Sequence, residues 1–303
     1  MPKITFMGAG STIFVKNIIG DCMLAEALQS SEIALYDIDA TRLQESASLI
    51  EVLNKKINHG RMKIKTYHGV KARKEALKKS NYVVNAIQVG GYKPSTVIDF
   101  EIPKKYGLRQ TIGDTLGIGG IFRALRTIPV MFDFARDIEE VCPNAIMLNY
   151  TNPMGILSGA MLRATNVKTV GLCHSVQGCA KGLLWQFGIE NEIKDLRWKI
   201  AGINHMAWLL ELKDGEKDLY PEIKKRSVEA VSRIMKIGAM KVKAKAIESA
   251  KSKGVANYWE MPGDARIVID LVRHEMMRHF GYYITESSEH NAEYTPYWIK
   301  RCQ

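Results

Sequence analysis

No apolar run in this 303-residue chain is long enough to span a bilayer, and the opening stretch MPKITFMGAG carries one lysine followed at once by a strand-like segment, unlike a signal peptide. Membrane insertion and export are therefore not expected, and a cytoplasmic location is. Cysteine is sparse: Cys22, Cys142, Cys173, Cys179 and Cys302 form an odd set of five with no C-x-x-C frame. Without an export signal such a set predicts reduced thiols and excludes a disulfide scaffold. Internal repeats and low-complexity linkers are missing too, so the chain reads as folded domains in series. What it does have, 46% hydrophobic and 25% charged residues, suffices to build a substantial core.

Acidic residues are outnumbered by basic ones, 32 against 43, for a formal charge of +11. A nucleic-acid surface interleaves basic with aromatic side chains. The densest basic stretch, KIGAMKVKAKAIESAKSKG (residues 236–254), contains no aromatic residue. It reads as a solvated helix face, and no nucleic-acid partner is expected. The charge can still draw in anionic cofactors.

Apolar segments alternate with helical patterns along the first half. KITFM (residues 3–7) stops at GAGST, and a helical pattern follows through FVKNIIGDCMLAEAL. EIALYDID (residues 32–39) is a second buried strand ending in acids, and a helix is expected over 41–58. MKIKTYH, NYVVNAIQVGG and NAIMLNYTNP continue the series, which is the βαβ rhythm of a doubly wound parallel sheet. The pattern predicts a nucleotide-binding domain over residues 1–152 and a second domain, α/β or α+β, over 153–303. The strand-like segments VKTVGLCHS and LRWKIAGINHMAWLLEL fall in the second, as does a helical excursion over about 226–254.

Gly8-Ala9-Gly10 directly follows the first strand and, with Ser11, opens a helix. A dinucleotide fold needs small residues there so that a pyrophosphate can meet backbone N–H groups at the helix N-terminus. The third glycine of that fingerprint is replaced by Ile13. Asp37, at the end of the second strand, is placed to accept hydrogen bonds from an adenosine ribose and to repel a 2′-phosphate, which favours NAD over NADP. A second small-residue loop, Gln88-Val89-Gly90-Gly91, falls where the nicotinamide half would pass, or is a plain loop.

Cys173 in GLCHS and His205 in GINHM end successive strand-like segments. A thiolate and an imidazole together can hold a divalent ion while leaving positions open for substrate hydroxyls. Each residue also has an ordinary reading, a small buried hydrophobe and a hydrogen-bonded histidine.

GAGSTIFVKNI, LYDID, AIQVGGY, QTIGDTLGIGGIFRALRT, LNYTNPM, GLCHSVQG, AGINHMAW and YYITESSEHNAEYTPY together resemble the NAD- and metal-dependent glycoside hydrolases of family four, and most of all their melibiase-type α-galactosidase branch. The resemblance runs nearly from Met1 to Lys300 and weakens over about 227–264. It implies a Rossmann-type domain like that of lactate and malate dehydrogenases, bound NAD, and a divalent metal, commonly Mn2+, at Cys173 and His205. It implies sugar contacts around Asn152 and at Asp114, although Asp114 also reads as a plain helix-entry acid, and it places His174 beside the leaving group. Small-molecule α-glycosides are the implied substrates and a homo-oligomer, dimer or tetramer, the implied assembly.

The implied chemistry is a transient oxidation. Hydride leaves sugar C3 for NAD, the metal polarises the ketone, the C2 proton is removed, the C1–O bond breaks by elimination, water adds, and the hydride returns. The family is thus an exception to hydrolysis by two carboxylates. Its members continue past the EYTPY region, so the second domain is expected to be incomplete at its C-terminus and no tyrosine is assigned as the base. The alternatives are an α-glucosidase or α-hexuronidase of the same family, an NAD-binding remnant without turnover, and a 2-hydroxy-acid dehydrogenase.

Overall fold

The computed structural model describes residues 1–108, 110, 115–242, 244, 248 and 263–298. The chain divides into two compact units, Met1–Leu172 and Cys173–Gln303. No helix among the described residues is long and apolar enough to cross a membrane.

The first unit is built on six parallel strands: β1 (Lys3–Met7), β2 (Glu32–Asp37), β3 (Lys63–His68), β4 (Tyr82–Asn85), β5 (Ile146–Asn149) and β6 (Lys168–Gly171), in spatial order β3-β2-β1-β4-β5-β6. Their connections carry α1 (Thr12–Leu24), α2 (Ala40–Asn58), α3 (Arg73–Leu77), α4 (Val97–Lys105), α5 (Ile118–Val141) and α6 (Met154–Ala164). Alternation along the strands assigns side chains to two cores. Ile4, Phe6, Leu35 and Val84 pack with Val15, Ile19, Leu43 and Ile50 of α1 and α2. Met7, Val83 and Met147 pack with Met131 and Phe134 of α5 and with Leu157 and Met161 of α6. Burying each such side chain contributes about 1.5–3 kcal/mol, and burial on both faces is why these strands read as continuous apolar runs. The strand order reverses between β1 and β4, which opens a crevice at the carboxyl ends of those strands.

The apolar pattern put the domain boundary after Asn152, whereas the first unit runs to Leu172. The difference has a packing cause. Strand β6 pairs with β5, Ile146 opposite Lys168 through Asn149 opposite Gly171, and α6 supplies two residues to the core. Residues 153–172 therefore complete the sheet.

The second unit is α+β. It comprises α7 (His174–Gln186), β7 (Leu196–Ile203), β8 (Met206–Asp214), the short β9 (Lys217–Asp218), α8 (Tyr220–Ile237), α9 (Asp264–Val268), α10 (Leu271–Phe280), β10 (Tyr283–Ile284) and α11 (Ser288–Tyr294). The stretch LRWKIAGINHMAWLLEL, read from sequence as one strand-like segment, is an antiparallel hairpin that turns at Asn204 and His205. His205, the second residue of that turn, has φ of +65°, in the left-handed region. Strand β10 adds to the far side of β8, Tyr283 opposite Leu209 and Ile284 opposite Trp208. Leu183, Leu184, Leu209, Leu212, Ile223 and Met277 form the core beneath this sheet. Of the lysine-rich stretch over 226–254, α8 accounts for the first part, and residues 249–254 lie outside the described residues.

A buried polar chain crosses that core. The Gln186 amide donates to Asp270 Oδ2 at 2.6 Å and to the Tyr283 hydroxyl at 3.0 Å, and Tyr283 in turn donates to Asp270. Gln186 Oε1 is therefore left to accept from His274 Nε2 at 2.6 Å, and His274 Nδ1 accepts from Ser227 Oγ at 2.8 Å. Both nitrogens are used in the neutral state. Arg273 lies 3.1 Å from Asp270 and stacks over the Tyr283 ring at 4.1 Å, so the buried charges are paired as burial requires.

Burial pushes the His274 imidazole from 6.5 down to about 4. Between those values the unfolded chain takes up a proton that the folded chain refuses. Stability is thus full above about pH 6.5 and falls as pH drops toward 4. Urea unfolding at pH 7 and pH 4 is expected to show a smaller stability difference in His274→Gln than in wild type, by roughly 3 kcal/mol; equal differences would contradict the neutral assignment.

Candidate functional site

In the first unit the loop after β1 is pinned to the end of β2. Gly8 and Ala9 N–H groups both donate to the Tyr36 carbonyl at 3.0 Å, and Gly10 N–H donates to Asp37 Oδ2 at 2.6 Å. Asp37 Oδ1 accepts from Asp39 N at 2.9 Å. Gly8 has φ of +89°, and a Cβ there would lie 2.7 Å from the Ala86 carbonyl oxygen at the end of β4. A Cβ on Gly10 would meet the Asp37 carboxylate at 2.9 Å. The crevice between β1 and β4 is therefore lined by bare backbone, and any side chain on Gly8 would fill it. Ser11 caps α1 without a side-chain hydrogen bond to the helix. Ile13, where the third glycine would stand, projects outward at 73% exposure.

The loop after β4 also has a glycine requirement that sequence alone left open. Gly90 has φ of +82°, and a Cβ there would collide with Ser95. Arg126 donates to the Val89 carbonyl at 3.2 Å and forks onto Asp99 with bonds of 3.1 and 2.6 Å. Packing against Ser95 and the Arg126 anchor thus account for the form of this loop.

In the second unit Cys173, His205 and Glu286 converge, with one ligand atom from each lying within 4.8 Å of the others. Cys173 immediately precedes α7, His205 is the hairpin tip, and Glu286 sits between β10 and α11. His205 Nε2 is 3.4 Å and Cys173 Sγ is 3.7 Å from Glu286 Oε1, and Ser175 Oγ is 3.1 Å from the sulfur. Burial pushes the His205 imidazole down to about 4 against the opposing pull of Glu286, which keeps it neutral and able to ligate. His205 Nδ1 is buried with no hydrogen-bond partner. Both His205 and Glu286 are non-glycine residues at positive φ, +65° and +67°; such backbone costs about 1–2 kcal/mol per residue and is kept where surroundings enforce it. One thiol, one imidazole and one carboxylate with open positions suit a divalent transition ion.

Glu286 had no sequence signal beyond its place in the TESSEH motif. A lone acid after a two-residue strand has no ligand spacing, and only the pairing of β10 with β8 delivers it to His205. His174 is the exposed first residue of α7 and is not part of the three-residue cluster. Asn152 is half-buried in the first unit, and its side-chain oxygen accepts from Met154 N at 3.3 Å at the start of α6. Asp114 lies outside the described residues. A cavity of about 250 Å³ adjoins the cluster, lined among others by Ser175, Gln186, Asp270, Arg273, Glu286 and Glu289.

A model of family 4 glycosyl hydrolases matches residues 3–188, and a model of the C-terminal domain of family 4 glycosyl hydrolases matches residues 200–302. The chain belongs to this family. The α-galactosidase of Bacillus subtilis is 58% identical over 301 residues, covering 99% of this chain and 61% of that protein. The α-galacturonidase of Thermoanaerobacter italicus is 35% identical, covering 74% of this chain and 48% of that protein. In fold, the chain resembles a 6-phospho-α-glucosidase from gut microorganisms solved with NAD and Mn2+, with a TM-score of 0.71 at 21% identity, covering 98% of this chain and 61% of that one. The C-terminal-domain match falls within the stretch expected to be an incomplete second domain. The chain spans about three fifths of the length of its Bacillus relative.

Gly8→Ala is expected to cost at least about 1–3 kcal/mol, because strained backbone and a 2.7 Å approach to Ala86 act together. Gly91 also has positive φ, +66°, but open space around it, so Gly91→Ala is expected to cost less. Denaturant melts of the two variants check the order.

Proposed function

We propose that this chain carries the cofactor- and metal-handling parts of a cytoplasmic, homo-oligomeric α-galactosidase that works by transient oxidation of the sugar at C3. The observation that carries the reading is the convergence of Cys173, His205 and Glu286 in a chain 58% identical to an α-galactosidase. When bound, NAD supplies reversible hydride acceptance, and a divalent ion, Mn2+ by analogy with the neighbouring structure, supplies polarisation of a carbonyl.

The chain's own residues divide that work. Gly8 and Gly10 keep side chains out of the crevice, so backbone N–H groups at the start of α1, just past Ser11, would be open to a pyrophosphate. Asp37, at the end of β2, would accept from ribose hydroxyls and disfavour a 2′-phosphate. Cys173, His205 and Glu286 would hold the divalent ion, with His205 kept neutral by burial. His174, Asn152 and Asp114 are assigned to the sugar by resemblance alone. A neutral sugar is favoured over an acidic one, because Arg273 on the cavity wall is already engaged by Asp270. The described cysteines are free thiols, in keeping with a reducing compartment.

Release of nitrophenol from the aryl α-galactoside is expected to require NAD, Mn2+ and a thiol reductant together, with no net NADH. Cys173→Ser is expected to remove the metal requirement of any residual sugar binding along with turnover. Net NADH formation from a 2-hydroxy acid would establish a dehydrogenase instead, and a larger rate on an aryl α-galacturonide would reassign the sugar.

A further inference from the structure

We propose that Asn291 is a positioning residue for the metal cluster, holding the backbone of Glu286 in the posture that presents its carboxylate to Cys173 and His205. The inference rests on the reading of that cluster as a metal site.

Glu286 stands at φ of +67° with no glycine to relieve it, so something outside the residue must hold the turn. Asn291, fully buried in α11, does so with one atom: its Nδ2 donates to the Thr285 carbonyl at 3.1 Å and to the Ser287 carbonyl at 2.9 Å. These are the carbonyls on either side of Glu286. The clamped turn is also bonded to the hairpin. Thr285 N donates to the Ala207 carbonyl at 2.7 Å, and Ala207 N donates to Thr285 Oγ1 at 3.1 Å, two residues beyond His205 on the hairpin. One amide thus locks the Glu286 turn, and that turn is bonded to the strand carrying His205.

The amide is kept at a cost. Asn291 Oδ1 is buried without a partner, a penalty that an apolar residue of similar size would avoid. The two donors explain its presence. Serine offers one donor and aspartate none, so only an amide bridges both carbonyls from this position.

Mn2+ affinity of the purified full chain, read by electron paramagnetic resonance of the free ion, tests the assignment. Asn291→Asp and Asn291→Ser are each expected to weaken Mn2+ binding about tenfold or more, with NAD affinity unchanged. Two substitutions are used so that a folded one, verified by its thermal melt, supplies the reading. In a Glu286→Gln background the same substitutions are expected to change Mn2+ affinity less than about twofold, because the residue acts through Glu286. A loss that persists undiminished in that background would overturn the positioning role, as would unchanged affinity in folded Asn291 variants. No Mn2+ binding by the wild-type chain would overturn the metal reading and the positioning role with it.

Discussion

Two residues of strand, Tyr283 and Ile284, lie antiparallel on Leu209 and Trp208, and the second unit's three-residue cluster depends on that pairing. It places Glu286, just past the strand, against His205 at the tip of the adjoining hairpin. So short a strand cannot hold its own register. Arg273 helps to hold it, donating to the Ile284 carbonyl at 2.9 Å while paired with Asp270. Ser288 adds a bond to Asp270 Oδ1 at 3.2 Å from the other side of Glu286. The buried polar chain from Ser227 to Tyr283 is thus more than core filling. It ties α7, which begins just after Cys173, to the turn that carries Glu286.

The candidate sites of the two units are built by different physics. The crevice of the first is made of backbone, kept open by the lack of side chains on Gly8 and Gly10. Asp37 is the polar exception, and it is tied to the loop it serves. The site in the second unit is made of side chains on three separate elements, and it is kept by strained backbone at two of them. A crevice of backbone tolerates sequence drift around it, as Ile13 in place of a third glycine illustrates. A site of side chains depends on every support that fixes their angles.

That contrast decides what could be read in advance. Parallel strands buried on both faces announce themselves as KITFM and EIALYD, and a glycine loop between strand and helix carries its own local signal, so the Rossmann-type domain was legible. Cys173 and His205 were legible as ligand types near strand ends. Glu286 was not, because its partner relation spans more than eighty residues and arises from a two-residue strand. The domain boundary was misjudged for a related reason. Nothing in the pattern of residues 153–172 distinguishes a sixth strand of the first sheet from the opening of a new domain, and only the pairing of β6 with β5 does so. The hairpin at Asn204 and His205 was hidden because apolar residues run through both of its strands with no glycine or proline at the turn itself.

The central claim is that Cys173, His205 and Glu286 hold one divalent ion. X-ray absorption at the manganese edge of the loaded chain tests it most directly. One sulfur together with nitrogen and oxygen neighbours, the sulfur vanishing in Cys173→Ser, is the predicted result; a shell of light atoms alone, identical in both proteins, would contradict it.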